Sequence, residues 1–473
     1  MKNLLVISLV AFLASCGGEG SDASGVTRML ANGQTGYGTV PGTSSTVVDS
    51  SSFLSAAFQD GTAEIALSQL ALQKASDEDV KSYAQRMIDD HTQENNEIVQ
   101  LAQAKNIALP SAPTAEQMAL LTSLSNLGGI AFDRAYMNAN VVAHEEDVGL
   151  FRAQALSGTD TDIATFAANT LPVLQAHLLT AKAIQGVLDP NAFLTNIFVD
   201  GKAEILLSSL ALERAGDAVV KAFAQRMIDE HTQVNNTVAQ LAQTKSIILP
   251  ADITAEHRAV YEDLSTMSGA DFDKAYMNHN VLEHASGVAQ ATGQADSGTD
   301  RDIKAFASTT LPALAAHLQV ASAIYEGIEP SFLYRAFQDS TGEILLSKLA
   351  LSKSSNVDVR QFAQKMINDH TLLNGQIEQL AQTKNVTLPR EISPEQLRSY
   401  VELSQRRSTA FDQDYMSRNV DAHAGDVARF QENSTNATDA DIRAFAAASV
   451  PVLSAHLSTA RQIEGGLGSV PAE

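Results

Sequence analysis

Apolar residues recur at three- and four-residue intervals over long stretches of this chain. Val80, Ala84, Met87, Ile98 and Ala102 make one such stripe. Met137, Val141, Val148, Phe151 and Ala155 make a second, and Ile163, Phe166, Leu174, Ala181, Ile184 and Leu188 a third. This is the period of an α-helix with one face in a core. With their punctuation, the stripes predict long helices over about 52–75, 77–105, 130–156 and 160–188, and a short one over about 114–127. Ser76-Asp77 and the Ser157 to Asp160 segment read as turns that end in N-caps. Asn106 to Pro110 and Gly128-Gly129 read as breaks, and Asp189-Pro190 closes the set. Helices one and two are joined tightly, as are three and four, so each pair is an antiparallel hairpin. The longer link from two to three lets those helices run parallel.

The same pattern is written twice more. Each of the three stripes carries one histidine, at His91, His144 and His177. They return as His231, His284 and His317, then as His370, His423 and His456, at intervals of about 140 residues. These positions take all but two of the chain's 11 histidines. Glu64 on the first helix returns in register as Glu204 and Glu343. A chain of 473 residues has the length of about three domains. The repeat divides it into 52–190, 191–330 and 331–466. The expected fold class is all-α: three tandem four-helix bundles in the ferritin-like order of hairpin, crossover, hairpin.

Composition changes this picture little, and charge narrows the partners. The formal net charge of −23 repels phosphate backbones, so nucleic acid is not an expected partner. The N-terminus is unlike the rest. Met1-Lys2-Asn3 is a short basic start, and Leu4 to Leu13 is an apolar run too short to span a bilayer. Leu13-Ala14-Ser15-Cys16-Gly17 resembles the lipobox of bacterial lipoprotein signal peptides. That resemblance implies cleavage of residues 1–15, acylation of Cys16, the chain's single cysteine, and export to the envelope. By the same resemblance, Gly17 after the cysteine, where an Asp would resemble an inner-membrane retention signal, implies an outer-membrane anchor facing the periplasm of a Gram-negative cell. Residues 16–51 are rich in Gly, Ser and Thr and read as a flexible tether with a reach of roughly 30 Å.

The candidate chemistry lies on the core stripes. Each bundle sets one glutamate and three imidazoles at mid-helix: Glu64, His91, His144 and His177 in the first, with Glu204 and Glu343 opening the other two sets. In antiparallel hairpins such positions meet at one height. A buried carboxylate with three imidazoles is costly unless paired or coordinated. Four such donors suit one divalent transition metal per bundle. Polar residues one turn away are candidates for orienting them: Asp60, Ser68, Asn95 and Asn140; Asp200, Ser208, Asn235 and Asn280; Asp339, Ser347, Asn374 and Asn419. Gly61, Gly201 and Ser340 leave space beside the glutamates. The plainer alternative is a metal-free hydrogen-bonded layer in an envelope scaffold that binds a protein or polymer partner.

Other positions carry less. Asp147 and Asp426 follow a site histidine by three residues, but Gly287 replaces them in the second copy, which makes them poor ligands. Position 94, occupied by Glu94, Val234 and Leu373, reads as a drifting surface position. His257 and His279 do not recur and read as surface residues. Asp133 reads as a structural link near the bundle end. Pro172, Pro312 and Pro451 should kink the fourth helix. No Ser/His/Asp arrangement, phosphate loop or nucleophilic cysteine appears, so hydrolysis is a weaker reading.

Met87-Ile88-Asp89-Asp90-His91, Phe132-Asp133 with Tyr136-Met137, His144, and Leu171-Pro172 with His177 resemble the bacterial domain-of-unknown-function 4142 family, a ferritin-like four-helix group. The resemblance covers nearly everything after the tether, three times over, and implies fold and envelope location more than activity. Di-iron ferritin-like proteins carry Glu-x-x-His on two helices. Here Ile88, Val141 and Leu174 stand three residues before the histidines, so no di-iron site is expected.

Overall fold

The computed structural model describes residues 49–406 and 408–467. The segments expected to be a signal peptide and a tether, with Cys16 between them, lie outside the described residues up to residue 48. Among the described residues there are 15 helices and no strands. The first bundle consists of α1 (Ser50–Lys74), α2 (Glu78–Lys105), α3 (Ala115–Ser125), α4 (Gly129–Ser157) and α5 (Thr161–Leu188). The second consists of α6 (Pro190–Arg214), α7 (Ala218–Lys245), α8 (Ala255–Ser265), α9 (Gly269–Ser297) and α10 (Arg301–Gly327). The third consists of α11 (Phe332–Lys353), α12 (Val357–Lys384), α13 (Pro394–Gln405), α14 (Ser408–Asn436) and α15 (Ala440–Leu467). None is long and apolar enough to cross a membrane. By packing, these residues form two compact units. One holds the first two bundles without Ala168–Ala176, and the other holds that segment with the third bundle.

Local chemistry sets the helix ends. Asp77 accepts hydrogen bonds from the Asp79 and Val80 amides at the start of α2. Thr114 and Gln117 form a reciprocal capping box on α3. Asp189 caps α6, whose first residue is Pro190. Asn106, Ser246 and Asn385 end α2, α7 and α12 in the left-handed region. The helices α5, α10 and α15 each continue through their internal proline.

Side-chain pairs settle the topology of the first bundle. Phe53 meets Phe151 at one end, and Ser68 meets the Tyr136 hydroxyl at 2.8 Å toward the other, so α1 and α4 run antiparallel. Tyr83 lies beside Tyr136 and His91 beside His144, so α2 and α4 run parallel. The crossover through α3 makes that possible. Asp133 at the start of α4 accepts from the Ser76 and Asp77 amides and the Ser76 hydroxyl, which pins the α1–α2 turn. The serine–tyrosine pair recurs as Ser208–Tyr276 and Ser347–Tyr415. Each bundle thus has a tyrosine-bearing end and a phenylalanine-rich end, and the histidine positions lie between them.

Two readings of the surface need correction. His257 and His279 are 1 % and 2 % exposed. They do not recur because they belong to a polar cluster peculiar to the second bundle. Glu94 is also buried, and Val234 and Leu373 are half-buried, so this position faces a packed environment in every copy.

Candidate metal centre

In each bundle one imidazole comes from each of the second, fourth and fifth helices. In the first bundle these are His91, His144 and His177, and all are buried. One ligand atom from each of the three lies within 4.8 Å of the others, and the same holds for His231, His284 and His317 and for His370, His423 and His456. The first helix adds the carboxylate. Glu64 places Oε2 2.9 Å from His91 Nε2 and Oε1 3.2 Å from His144 Nδ1. Glu343 repeats this at 3.0 Å from His370 Nε2 and 3.2 Å from His423 Nδ1. Both oxygens of each glutamate are buried without an aligned hydrogen bond.

The outer atoms of the rings fix the inner ones. His144 Nδ1 lies 3.0 Å from the Asn140 carbonyl, which can only accept, so Nδ1 carries the proton. His177 Nε2 lies 2.8 Å from the Asp90 carboxylate and donates to it. In neutral rings this leaves His144 Nε2 and His177 Nδ1 facing each other with lone pairs, 3.3 Å apart. Burial pushes both rings below the usual histidine range, His144 to about 4, so both are neutral near pH 7. The second bundle repeats the chain: His284 Nδ1 to the Asn280 carbonyl, His317 Nε2 to Glu230, and 3.2 Å between the inner nitrogens. In the third, His423 donates to the Asn419 carbonyl and His456 to Asp369. There His423 Nε2 and His456 Nδ1 are buried without a hydrogen-bond partner.

Two facing lone pairs call for a cation between them, either a proton or a metal ion. Metal–nitrogen bonds of about 2.0–2.1 Å place two tetrahedral ligands roughly 3.3 Å apart, which matches the observed spacing. The donor set therefore fits a metal ion. Asp90, Glu230 and Asp369 stand where carboxylates orient metal-bound imidazoles in known metal sites. Sequence reasoning missed them. Each directly precedes a site histidine, and neighbouring helical residues point about 100° apart, so they fall off the core stripe.

The glutamates are not equivalent. Burial pushes Glu64 up, but the charge and hydrogen bond of His91, first among its neighbours, outweigh it and hold the carboxyl down to about 2. Glu343 is held to about 2 in the same way by His423 and His370. Glu204 lies 3.9 Å from His284 Nδ1, and burial, aided by Glu283 and Asp200, pushes it up to about 8. His91 is singular in another way. Burial lowers it, yet Glu64 on one side and Glu94, 3.0 Å from its Nδ1, on the other raise it well above the usual range.

The polar residues one turn away have mixed partners. The Asn140 side chain bonds the Tyr136 carbonyl, and only its own backbone carbonyl meets His144. Asn95 donates to Thr62, Asn235 to the Phe198 carbonyl and Asn374 to Thr341. Asp60 accepts from Gln117, and Asp339 pairs with Arg429. Ser68, Ser208 and Ser347 bond tyrosines rather than imidazoles. Gly61 and Gly201 make room for Asn95 and Asn235, whose oxygens would lie 2.8 and 2.5 Å from an added Cβ. Ser340 instead places its hydroxyl 3.0 Å from His370 Nδ1. Asp147 is buried and groups with Glu64 and His144 as possible ligands, which its absence from the second copy had argued against.

A family model described as "domain of unknown function (DUF4142)" matches residues 39–184, 185–324 and 326–463, and the chain belongs to that family in three tandem copies. No curated protein and no solved structure matches the chain.

Proposed function

We propose that this chain is an exported, lipid-anchored envelope protein in which each repeat binds one divalent transition-metal ion. The ligands are the three imidazoles and, in the first and third repeats, Glu64 and Glu343. The observation that carries the metal reading is the pair of inward lone pairs, held by outer hydrogen bonds in three different sequence contexts. A proton shared between the rings would need one of them charged, and burial opposes that. The nitrogen-rich set suits Zn²⁺, Fe²⁺, Co²⁺, Ni²⁺ or Cu²⁺ ahead of Mg²⁺ or Ca²⁺. Buried donors that close the coordination shell suit buffering or sensing. The lipobox-like segment ending at Cys16 supports the anchor, and family membership supplies no activity.

A second reading, a metal-free polar layer within a scaffold, is favoured by one feature. His91 sits between Glu64 and Glu94 at 2.9 and 3.0 Å, as an imidazolium would. The test is elemental analysis of the untagged soluble protein starting after Cys16, purified from the periplasm without chelator. It is paired with a variant carrying His144→Ala, His284→Ala and His423→Ala. The metal reading expects close to one equivalent of a transition metal per repeat, lost in the variant. A folded wild-type protein that neither contains metal nor takes up Zn²⁺, Cu²⁺, Fe²⁺ or Mn²⁺ would sink it.

A further inference from the structure

The second bundle contains a polar cluster that the other two lack. Asp200 on α6, His257 on α8 and Glu283 on α9 bring one ligand atom each within 4.8 Å of one another. Asp200 belongs to the repeating pattern, as Asp60 and Asp339 do. The other two break it. His257 stands where the first and third bundles have Gln117 and Gln396, and Glu283 where they have Ala143 and Ala422. In those bundles the glutamine reaches the first helix by hydrogen bonds, to Asp60 Oδ1 in one and to the Gln338 carbonyl in the other. Two independent departures therefore converge on one shared carboxylate, and both introduce metal-ligand chemistry.

The imidazole is built into the site. His257 is 1 % exposed, and its Nε2 is buried without a hydrogen-bond partner, 3.5 Å from Asp200 Oδ1 and 3.4 Å from Glu256 Oε2. Its Nδ1 lies 3.0 Å from the Thr254 hydroxyl oxygen. When Nδ1–H donates there, Nε2 turns a lone pair on the carboxylates. Burial, then the nearby Lys182, lowers this ring to about 3, which keeps it neutral and able to ligate. The surrounding charge is unbalanced. Lys182 Nζ lies 3.4 Å from Asp200 and 3.6 Å from Glu145, and Glu256 and Glu283 also act on it. One ammonium thus faces four carboxyl groups, of which burial raises Glu145 to about 7 and Asp200 above its usual range.

We propose that Asp200, His257 and Glu283 form a second class of divalent-cation site, present once per chain and separate from the histidine layers. Two carboxylates and one imidazole make it harder than those layers, so Mn²⁺ competes better against Cu²⁺ here than it does in the layers. It does not depend on the layers binding metal.

The experiment is a Mn²⁺ titration of the metal-stripped soluble chain, followed by loss of the free-ion electron paramagnetic resonance signal. Wild type is compared with a double variant, His257→Gln with Glu283→Ala, which installs the residues of the other bundles. A third protein carries His144→Ala, His284→Ala and His423→Ala. The proposal expects one equivalent that survives in the layer variant and is weakened at least roughly tenfold in the double variant, as loss of ligands requires. Glu283→Gln alone, which keeps the side-chain volume, should weaken the same equivalent if the double variant fails to fold. Equal stoichiometry and affinity in wild type and in these variants would overturn the site. If the layers bind nothing, only the layer variant's comparison changes, and the two readings fail separately.

Discussion

Glu64 and Glu204 occupy the same place in the repeat, each with the same three histidines in register, yet they are different chemical groups. Glu64 touches two imidazoles and is held to about 2. Glu204 approaches one ring at 3.9 Å and is pushed up to about 8. The difference comes from burial that no close imidazole offsets, and from neighbours that differ between the copies. In the second bundle Glu283 and Asp200 add negative charge beside Glu204. In the third, Arg429 pairs with both Asp339 and Asp426, and Glu343 keeps its imidazole contacts. A repeated motif fixes which residues line the layer, and the packing and neighbours around it fix their contacts and charge.

The largest expected consequence is an opposite pH dependence in the metal-free protein. Glu204 is raised from an ordinary value of 4.5 to about 8. Between those values the folded state holds a proton that the unfolded state has released. Its stabilising contribution is therefore complete below pH 4.5 and is lost as pH rises, by up to about 1.4 kcal/mol per unit. Glu64 and Glu343 are lowered from 4.5 to about 2, so their contribution is complete above 4.5 and is lost as pH falls toward 2. The histidines of this bundle, depressed by burial, push stability the other way below about pH 6.5, and they do so equally in wild type and in Glu204→Gln. Hydrogen exchange of α6 peptides between pH 5 and 8, corrected for intrinsic rates, should therefore show wild type losing protection relative to Glu204→Gln as pH rises. An unchanged slope in the variant would mean that Glu204 is already ionised in the fold.

If the repeats bind metal as proposed, the metal-bound protein sharpens the same contrast at a smaller scale. Replacing Glu64 or Glu343 with Gln removes an ionised ligand already aimed at the rings, and should weaken one Zn²⁺ equivalent by roughly 10- to 100-fold. Glu204→Gln should cost about tenfold less, because at neutral pH that carboxyl must first give up a proton. Competition titrations with a chromophoric chelator resolve the difference. Equal losses from all three variants would show that metal draws Glu204 into its layer, and would erase the distinction between the bundles.

The sequence made the all-α architecture legible because its signals are local and repeated. The apolar period, the Asp77 cap and the Gly128-Gly129 break each act within one or two turns, and all appear near their expected positions. The meeting of Glu64 with His91 and His144 was also readable, since mid-helix residues on core stripes must meet in hairpins. What escaped was set by geometry off the stripe or by tertiary burial. Asp90 reaches His177 on a different helix, 87 residues away. His257 looks like a surface residue by its failure to recur, but the same failure marks a cluster that only this bundle buries. Departure from a repeat therefore has two meanings, drift and new chemistry, and only the packing separates them.

The smallest effect concerns the backbone that launches the fourth helix of the bundle, the one that carries His144 and its counterparts. Gly129 and Gly269 begin α4 and α9 with φ of +58° and +60°. The third bundle has Ser408 at the same place with φ of +50°. A side chain in this left-handed region costs roughly 1–2 kcal/mol, and glycine has no such penalty. Glycine also adds about 0.4–1 kcal/mol of unfolded-chain entropy, which works against the gain. Ser408→Gly should therefore stabilise the third bundle by about 1 kcal/mol and leave metal stoichiometry unchanged, as read by guanidinium unfolding of the metal-free chain. Gly269→Ser should destabilise the second bundle by a similar amount. If both substitutions prove neutral, the serine is accommodated by local bonds that offset its backbone cost, and the three helix starts are equivalent after all.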